Sequence, residues 1–239
     1  MSGLRHWGRR RTVADFIASS PGPLADYYRR PVAFDPTLPW SEADYLVLDV
    51  EATAVDPEQG HLLSMGWVCV EQGAIQAGTA RHHLVRPPEE VGVGQSAVIH
   101  HITDTEAREG SSPEEVVEAL VDDLQGRVLV CHFAQIELGF AGRICQDRWG
   151  IGFWPWQLVD TMQWHVDRSR RLLEHGDGQK VRLNRLMERY GLPPTRPHHA
   201  LSDAYGTALL LMAIGRNSPD GSDRGRLLGE LLDSRSWSM

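Results

Sequence analysis

Residues 45–53 read Tyr-Leu-Val-Leu-Asp-Val-Glu-Ala-Thr, an apolar stretch that carries two carboxylates two residues apart. Because successive strand side chains point to opposite faces, a strand here places Asp49 and Glu51 on one face. Two neighbouring anions repel each other, and oxygen ligands at this spacing suit hard divalent cations such as Mg2+ or Mn2+. The alternative is a strand end whose acids merely reach solvent, and this short pattern alone does not separate the two interpretations.

Length, composition and charge indicate one ordinary globular domain with elaborations. The chain has 239 residues, of which 41% are hydrophobic and 23% charged, and no apolar run is long enough to span a bilayer. The N-terminal residues do not form a signal peptide, and three widely spaced cysteines make neither a disulfide framework nor a thiolate metal site. We therefore expect a cytoplasmic protein that does not bind membranes. The net charge of -8 at pH 7 argues against non-specific coating of nucleic acid, although it leaves a local basic patch open.

Turn residues and hydrophobic periodicity divide the chain into elements. Three apolar-rich strands follow one another over residues 45–85 with short connections, which predicts an antiparallel meander. The stretch Ser112–Glu115 is a capping box with proline at the first helical position, and strands then alternate with helices. The pattern predicts an α/β fold of ribonuclease H-like type: a mixed sheet, three antiparallel strands and then parallel strands, flanked by helices. We place this domain at residues 42–217, with an N-terminal helix and extended arm at 1–41 and a C-terminal helix and tail at 218–239.

Four acids and one histidine lie at the edges of apolar elements. Asp49 and Glu51 are on the first strand, Glu137 begins the helix after the fourth strand, and His198 and Asp203 open a late helix. Converging carboxylates repel one another unless about two divalent cations, roughly 4 Å apart, lie between them. Such an arrangement hydrolyses phosphodiesters. A neutral His198 would accept the proton of the attacking water, since an unperturbed imidazole has a pKa of about 6.5.

Three stretches carry a resemblance to a known family. Residues 48–53, 130–137 and 198–204 resemble, in order and spacing, the three motifs of the DEDDh, or DnaQ-like, 3′-to-5′ exonucleases. That family includes the proofreading epsilon subunit of bacterial DNA polymerase III. The resemblance covers about residues 45–214, and three ordered motifs are far more specific than any one of them.

The resemblance implies a site and a substrate. It implies metal ligation by Asp49, Glu51 and Asp203, with His198 as the general base and the terminal nucleotide held near Thr53. It also implies two Mg2+ or Mn2+ ions and a nucleic-acid 3′ end as substrate, with single-stranded DNA as our first expectation. A DNA polymerase or repair complex is the partner that the family suggests.

The second motif departs from the family pattern at two positions. Glu137 stands where the family has Asp, and Phe133 stands where the family usually has Asn. A glutamate has the same charge and one more methylene, so we expect Glu137 to be the fourth metal ligand. Two alternatives remain open: a catalytically weakened module that binds nucleic acid or a polymerase, and an exoribonuclease that acts on short RNA.

Overall fold

The computed structural model describes residues 12–31, 33–89, 102–169, 181–217 and 225–233. These residues form one five-stranded sheet flanked by helices. The strands are β1 (Tyr45–Ala52), β2 (Leu62–Glu71), β3 (Ala74–Leu84), β4 (Val128–Cys131) and β5 (Leu158–Asp160). The helices are α1 (Val13–Ser19), α2 (Pro23–Arg29), α3 (Asp104–Arg108), α4 (Pro113–Leu124), α5 (Gln135–Trp149), α6 (Thr161–Ser169), α7 (Leu183–Arg189) and α8 (Ala200–Arg216). Within the described residues, no helix is long and apolar enough to cross a membrane.

The strand order β3-β2-β1-β4-β5 confirms the predicted mixed sheet. β1 pairs antiparallel with β2 across the loop of residues 53–61, and β2 pairs antiparallel with β3 across a two-residue turn. β1 pairs parallel with β4, and β4 with β5, because helices lie in the connections. The antiparallel and parallel halves of the sheet therefore meet at β1.

Alternate side chains of β1 pack against different layers of helices. Leu48 belongs to a core cluster that also contains residues of α2, α4 and α5. Val47 belongs to a second cluster, with residues of α8 on the opposite side of the sheet. Asp49 and Glu51 continue the alternation that begins with Val47, so they project toward α8.

The segment before β1 differs from the helix and extended arm that we expected. α1 is the predicted helix, and its Thr12 and Asp15 form a capping box. Pro23 then opens a second helix, α2, at its first position, where the missing N–H costs nothing. Tyr27 and Tyr28 of α2 are buried in the cluster that contains α4 and α5. The prolines in this segment thus start a helix as well as ending one.

The described part of the C-terminal segment contains less helix than we predicted. Its described residues form a single 3-10 turn, Leu228–Glu230, rather than the expected helix. Leu227 pairs with Pro39, and the N–H of Asp233 donates to the Leu158 carbonyl, so the turn is held against the segment before β1 and against β5. Residues 218–224 and 234–239 lie outside the described ranges. The domain boundaries at 41/42 and 217/218 stay predictions.

Gly66 permits a close approach between β2 and the start of α8. It pairs with Asp49 across the β1–β2 ladder, and a Cβ at this position would collide with the backbone of Ala200 and Leu201. We expect Gly66→Ala to lower the free energy of unfolding by about 3 kcal/mol, because neither backbone is free to yield. Chemical denaturation measures this change. Gly78→Ala is the matched control, because a Cβ there meets nothing within 4 Å, and equal stability of the two variants would contradict the close packing.

Candidate active site

Three acids from two elements converge at the C-terminal end of β1. Each of Asp49, Glu51 and Asp203 offers a carboxylate oxygen, and these oxygens all lie within 4.8 Å of one another. β1 supplies the first two on one face, and the first turn of α8 supplies the third. Glu51 is buried, whereas Asp49 and Asp203 are half-buried. The structure thus brings together three of the four predicted ligands.

The pKa values of two acids in this cluster are raised, which shows that their charged forms are destabilised. Burial raises the pKa of Asp49 well above its ordinary value, and the charges of Glu137, Glu51 and Asp203 raise it further. Burial also raises the pKa of Asp203 to about 6, although the backbone N–H of His198 opposes the rise by donating to its carboxylate. Without a cation, their surroundings therefore favour the protonated forms of Asp49 and Asp203.

Glu137 lies outside the group of three but interacts with it. Its side chain is 3% exposed, so Glu137 is not a solvated acid on the surface of α5. Burial raises the pKa of Glu137 well above its usual range, and the charges of Asp160 and Glu51 act in the same direction. Its Oε2 has no hydrogen-bond partner among the described residues. A buried carboxylate oxygen without a partner is costly, and a cation is a suitable partner for it.

The two adjacent histidines of the third motif occupy different environments. His198 is exposed and has a positive φ of 61°, and its backbone N–H donates to Oδ2 of Asp203 at 2.8 Å. His199 is the N-cap of α8: its Nδ1 accepts the Ser202 N–H at 3.4 Å, and its ring stacks on His82 with centroids 4.4 Å apart. His198 therefore has a side chain at the open rim beside Asp203, while packing and capping occupy His199.

Thr53 lies just beyond β1 and closes the loop that follows it. Its backbone N–H donates to the His61 carbonyl at 2.9 Å, and its hydroxyl accepts the His61 N–H at 2.9 Å. These bonds hold residues 54–60 as a loop beside the cluster. The contact of Thr53 with a terminal nucleotide stays a prediction.

A cavity that the sequence did not predict opens beside Asp203. Its volume is about 330 Å3, and it separates the start of α8 from α7. Most of its lining is apolar, and Asp203 is one of its walls. The other lining residues are Leu183, Asn184, Met187, Glu188, Leu192, Pro194, Thr195 and Pro197.

The family model RNase_T, described as "Exonuclease", matches residues 46–211. This span includes the whole sheet except the first residue of β1, and all five candidate residues of the cluster and its rim. The chain belongs to the RNase_T exonuclease family.

The relatives of this exonuclease include much longer polymerases. The DNA polymerase III PolC-type of Thermotoga petrophila is 28% identical over 173 residues, which are 72% of this chain and 12% of that protein. The protein of the same name from Staphylococcus haemolyticus is 27% identical over 187 residues, 77% of this chain and 12% of that protein. The exonuclease thus spans about an eighth of the length of these relatives.

Solved structures share the fold of this exonuclease. The nuclease domain of 3'hExo, a DEDDh family member bound to rAMP, has a TM-score of 0.62 at 15% identity, over 78% of this chain and 96% of that one. E. coli Exonuclease I in complex with a 5cy-dT13 oligonucleotide has a TM-score of 0.59 at 13% identity, over 75% of this chain and 42% of that one. At these identities the likeness supports the sheet order and the helical layers.

The raised pKa values of the carboxyls predict how pH affects the metal-free protein. Unfolded carboxyls titrate near about pH 4, so above that pH the folded state holds more protons on Asp49, Glu137 and Asp203, and stability falls as pH rises. Three histidines have the opposite effect below about pH 6.5, because partial or full loss of hydration lowers the pKa of each to about 4. They are His165, which is buried, His132, which is half-buried, and His82, whose ring stacks on His199. In the window above about pH 6.5 the histidines are neutral in both states, so the raised pKa values of Asp49 and Glu137 determine how stability changes with pH.

In that window we expect the melting temperature of EDTA-treated protein to fall steadily with rising pH. Saturating Mn2+ should remove most of the slope, because a bound cation replaces the protons. Differential scanning calorimetry across the window measures both curves. A flat metal-free curve would mean that the acids are ionised at little cost and that the repulsion between them is small.

Proposed function

We propose that this exonuclease removes nucleotides from the 3′ end of single-stranded DNA, with two divalent cations held by Asp49, Glu51, Glu137 and Asp203. The observation that carries the proposal is the convergence of three carboxylates near Glu137, whose buried Oε2 has no hydrogen-bond partner within the described part of the chain. An oxygen-only set of donors fits Mg2+ or Mn2+ and does not suit softer metals. The family match supports hydrolysis of nucleic acid.

The residues divide the chemistry between binding and proton transfer. Asp49, Glu51, Glu137 and Asp203 would hold the divalent cations, which when bound would activate water and offset the charge on the leaving oxygen. Asp49 and Glu51 are ligands supplied by β1, the central strand of the sheet, which fixes the positions of their backbones. Asp203 completes the metal centre from α8, and the hydrogen bond from the His198 backbone orients its carboxylate. The His198 imidazole, at the exposed rim, accepts the proton of the attacking water.

The surroundings of the site suit the unpaired end of a nucleic-acid strand. The mostly apolar cavity beside Asp203 can contact the faces of a base only when that base has left a duplex stack. Thr53 and the loop after it lie at the end of β1, where we place the terminal nucleotide. The similarity to PolC-type DNA polymerase III and the dT13 complex of Exonuclease I favour DNA.

Two other functions have specific support. The rAMP bound to 3'hExo supports activity on short RNA. The position of Glu137 outside the 4.8 Å group supports a weakened module that binds nucleic acid without cleaving it. We further infer an association with a DNA polymerase, on the ground that the relatives are polymerases many times longer than this chain.

A 5′-labelled oligonucleotide separates these functions. We expect a ladder that shortens from the 3′ end of single-stranded DNA in Mg2+ or Mn2+ and disappears in EDTA. A ladder on RNA alone would select the exoribonuclease. Tight binding with no ladder under either metal would select the binding module, and a blunt duplex of the same sequence tests the requirement for an unpaired end.

The two histidines of the third motif give a matched pair of variants. We expect His198→Ala to lower turnover on the order of 100-fold while metal and oligonucleotide binding remain, because a general base acts only in the chemical step. His199→Ala should affect turnover far less and instead lower stability by about 1 kcal/mol, since it removes the cap of α8. Single-turnover rates and urea denaturation measure the two effects, and interchanged results would assign the base to His199.

A further inference from the structure

Asp160, at the end of β5, binds the starts of two helices at once. Its Oδ1 accepts the N–H groups of Met162 and Gln163 at 3.0 Å each, which caps α6. The same oxygen also accepts the Phe133 N–H at 3.1 Å, and Oδ2 accepts the Ala134 N–H at 3.1 Å. The side chain is 2% exposed. A carboxylate used only as a cap would need just the first two of these bonds.

The second pair of bonds holds an unusual turn. Phe133 has a φ of 86°, in the left-handed region that bulky residues rarely adopt. Ala134 is the N-cap of α5 and has no side-chain group to bond the helix. Asp160 reaches this turn because Cys131, the last residue of β4, is its direct partner in the parallel ladder. The turn therefore depends on a carboxylate from the neighbouring strand.

Glu137 lies three residues after Ala134, in the first turn of α5. The N–H of Leu138 donates to the Ala134 carbonyl at 2.9 Å, so the position of Ala134 sets the register of this turn. A rigid connection from Asp160 through Ala134 thus ends at the buried carboxylate of Glu137.

We propose that Asp160 is a positioning residue that places Glu137 for metal binding, a role additional to the capping of α6. We assign Asp160 no place among the metal ligands, because its carboxylate binds four backbone N–H groups and it lies outside the group of acids whose oxygens are within 4.8 Å of one another. The inference rests on the proposed function, since it assigns Glu137 to the metal centre. Groups that orient the ligands of a metal typically contribute about 10- to 100-fold to its affinity or to activity.

Two variants separate positioning from capping. Asp160→Asn keeps the shape of the side chain but replaces one carboxylate oxygen with an NH2 group. That group cannot accept a hydrogen bond from the backbone N–H groups that Asp160 binds. Asp160→Ser keeps a good N-cap for α6 and is too short to hold the turn at Phe133. We expect both variants to raise, by about 10-fold or more, the Mn2+ concentration that gives half of the maximal rise in melting temperature. Nucleotide release should fall by a similar factor.

A double-mutant cycle identifies the residue through which Asp160 acts. If the effect passes through Glu137, the combination Glu137→Gln with Asp160→Asn should need no more Mn2+ than Glu137→Gln alone. A role in folding alone would instead lower stability in each background and leave the Mn2+ midpoint unchanged. Ser112→Ala is the control for a lost cap, because Ser112 caps α4 by accepting the Glu115 N–H and should lower stability without moving the midpoint.

The outcomes distinguish this inference from the function on which it rests. An unchanged Mn2+ midpoint in Asp160→Ser, beside a normal response of the wild type, would overturn the positioning role alone. Additive effects in the cycle would do the same. A wild-type protein whose melting temperature does not respond to Mn2+ or Mg2+ would overturn the metal centre and the positioning role together.

Discussion

Asp49→Asn should lower the rate of nucleotide release by about 10³-fold or more, while the metal-free protein becomes more stable. Asp49 is a central acid of the cluster, and its replacement removes a charged ligand that no neighbour can supply. The same change removes one charge from a group whose mutual repulsion raises the pKa of Asp49. Opposite effects on activity and on stability are the expected behaviour of a site whose acids are held together for a cation.

Two measurements check this prediction. Oligonucleotide degradation gives the loss of rate, and calorimetry in EDTA gives the gain in melting temperature, which should increase with pH. The rise in melting temperature on adding Mn2+ should shrink or vanish in the variant. Asp147→Asn is the control for loss of one negative charge, because its side chain is 74% exposed and its only ion pair among the described residues is a 3.8 Å contact with Arg143. An Asp49→Asn protein with wild-type activity would remove Asp49 from the site.

Glu137→Gln should remove most activity, and Glu137→Asp should be tolerated or even beneficial. The buried Oε2 of Glu137 lacks a hydrogen-bond partner among the described residues, and a glutamine cannot offer a charged oxygen there. Aspartate restores the side chain that the family has at this position. Because Mg2+ demands near-ideal octahedral geometry, we also expect Mn2+ to support the wild type better than Mg2+.

The rates of nucleotide release by the wild type, Glu137→Gln and Glu137→Asp, each measured in Mg2+ and in Mn2+, test this prediction. The ratio of the Mn2+ rate to the Mg2+ rate should fall in Glu137→Asp if the shorter side chain improves the geometry. Glu106→Gln is a matched control, since this glutamate sits in the first turn of α3 and bonds Thr103 at the surface. Turnover of Glu137→Gln equal to that of the wild type would leave Asp49, Glu51 and Asp203 as the ligands.

Local spacing in the sequence determined the parts of the site that lie within one element. An interval of two residues in a strand sets Asp49 and Glu51 on the same face whatever surrounds them. The capping box at Ser112 marked the start of α4 correctly, because its hydrogen bonds join residues three apart. The interval between His198 and Asp203 likewise spans a single helix start. In each case the deciding contacts are short-range.

Only the tertiary structure decided the features that depend on distant segments. The burial of Glu137 requires α5 to pack beside β1, and its separation from the other acids follows from where that helix begins. The second partner of Asp160 appears only when β4 and β5 lie side by side. Asp203 reaches Asp49 because Gly66, more than 130 residues earlier in the chain, lets α8 approach the sheet. Sequence patterns report neighbours a few residues apart, whereas these contacts arise from the closing of long loops around a shared core.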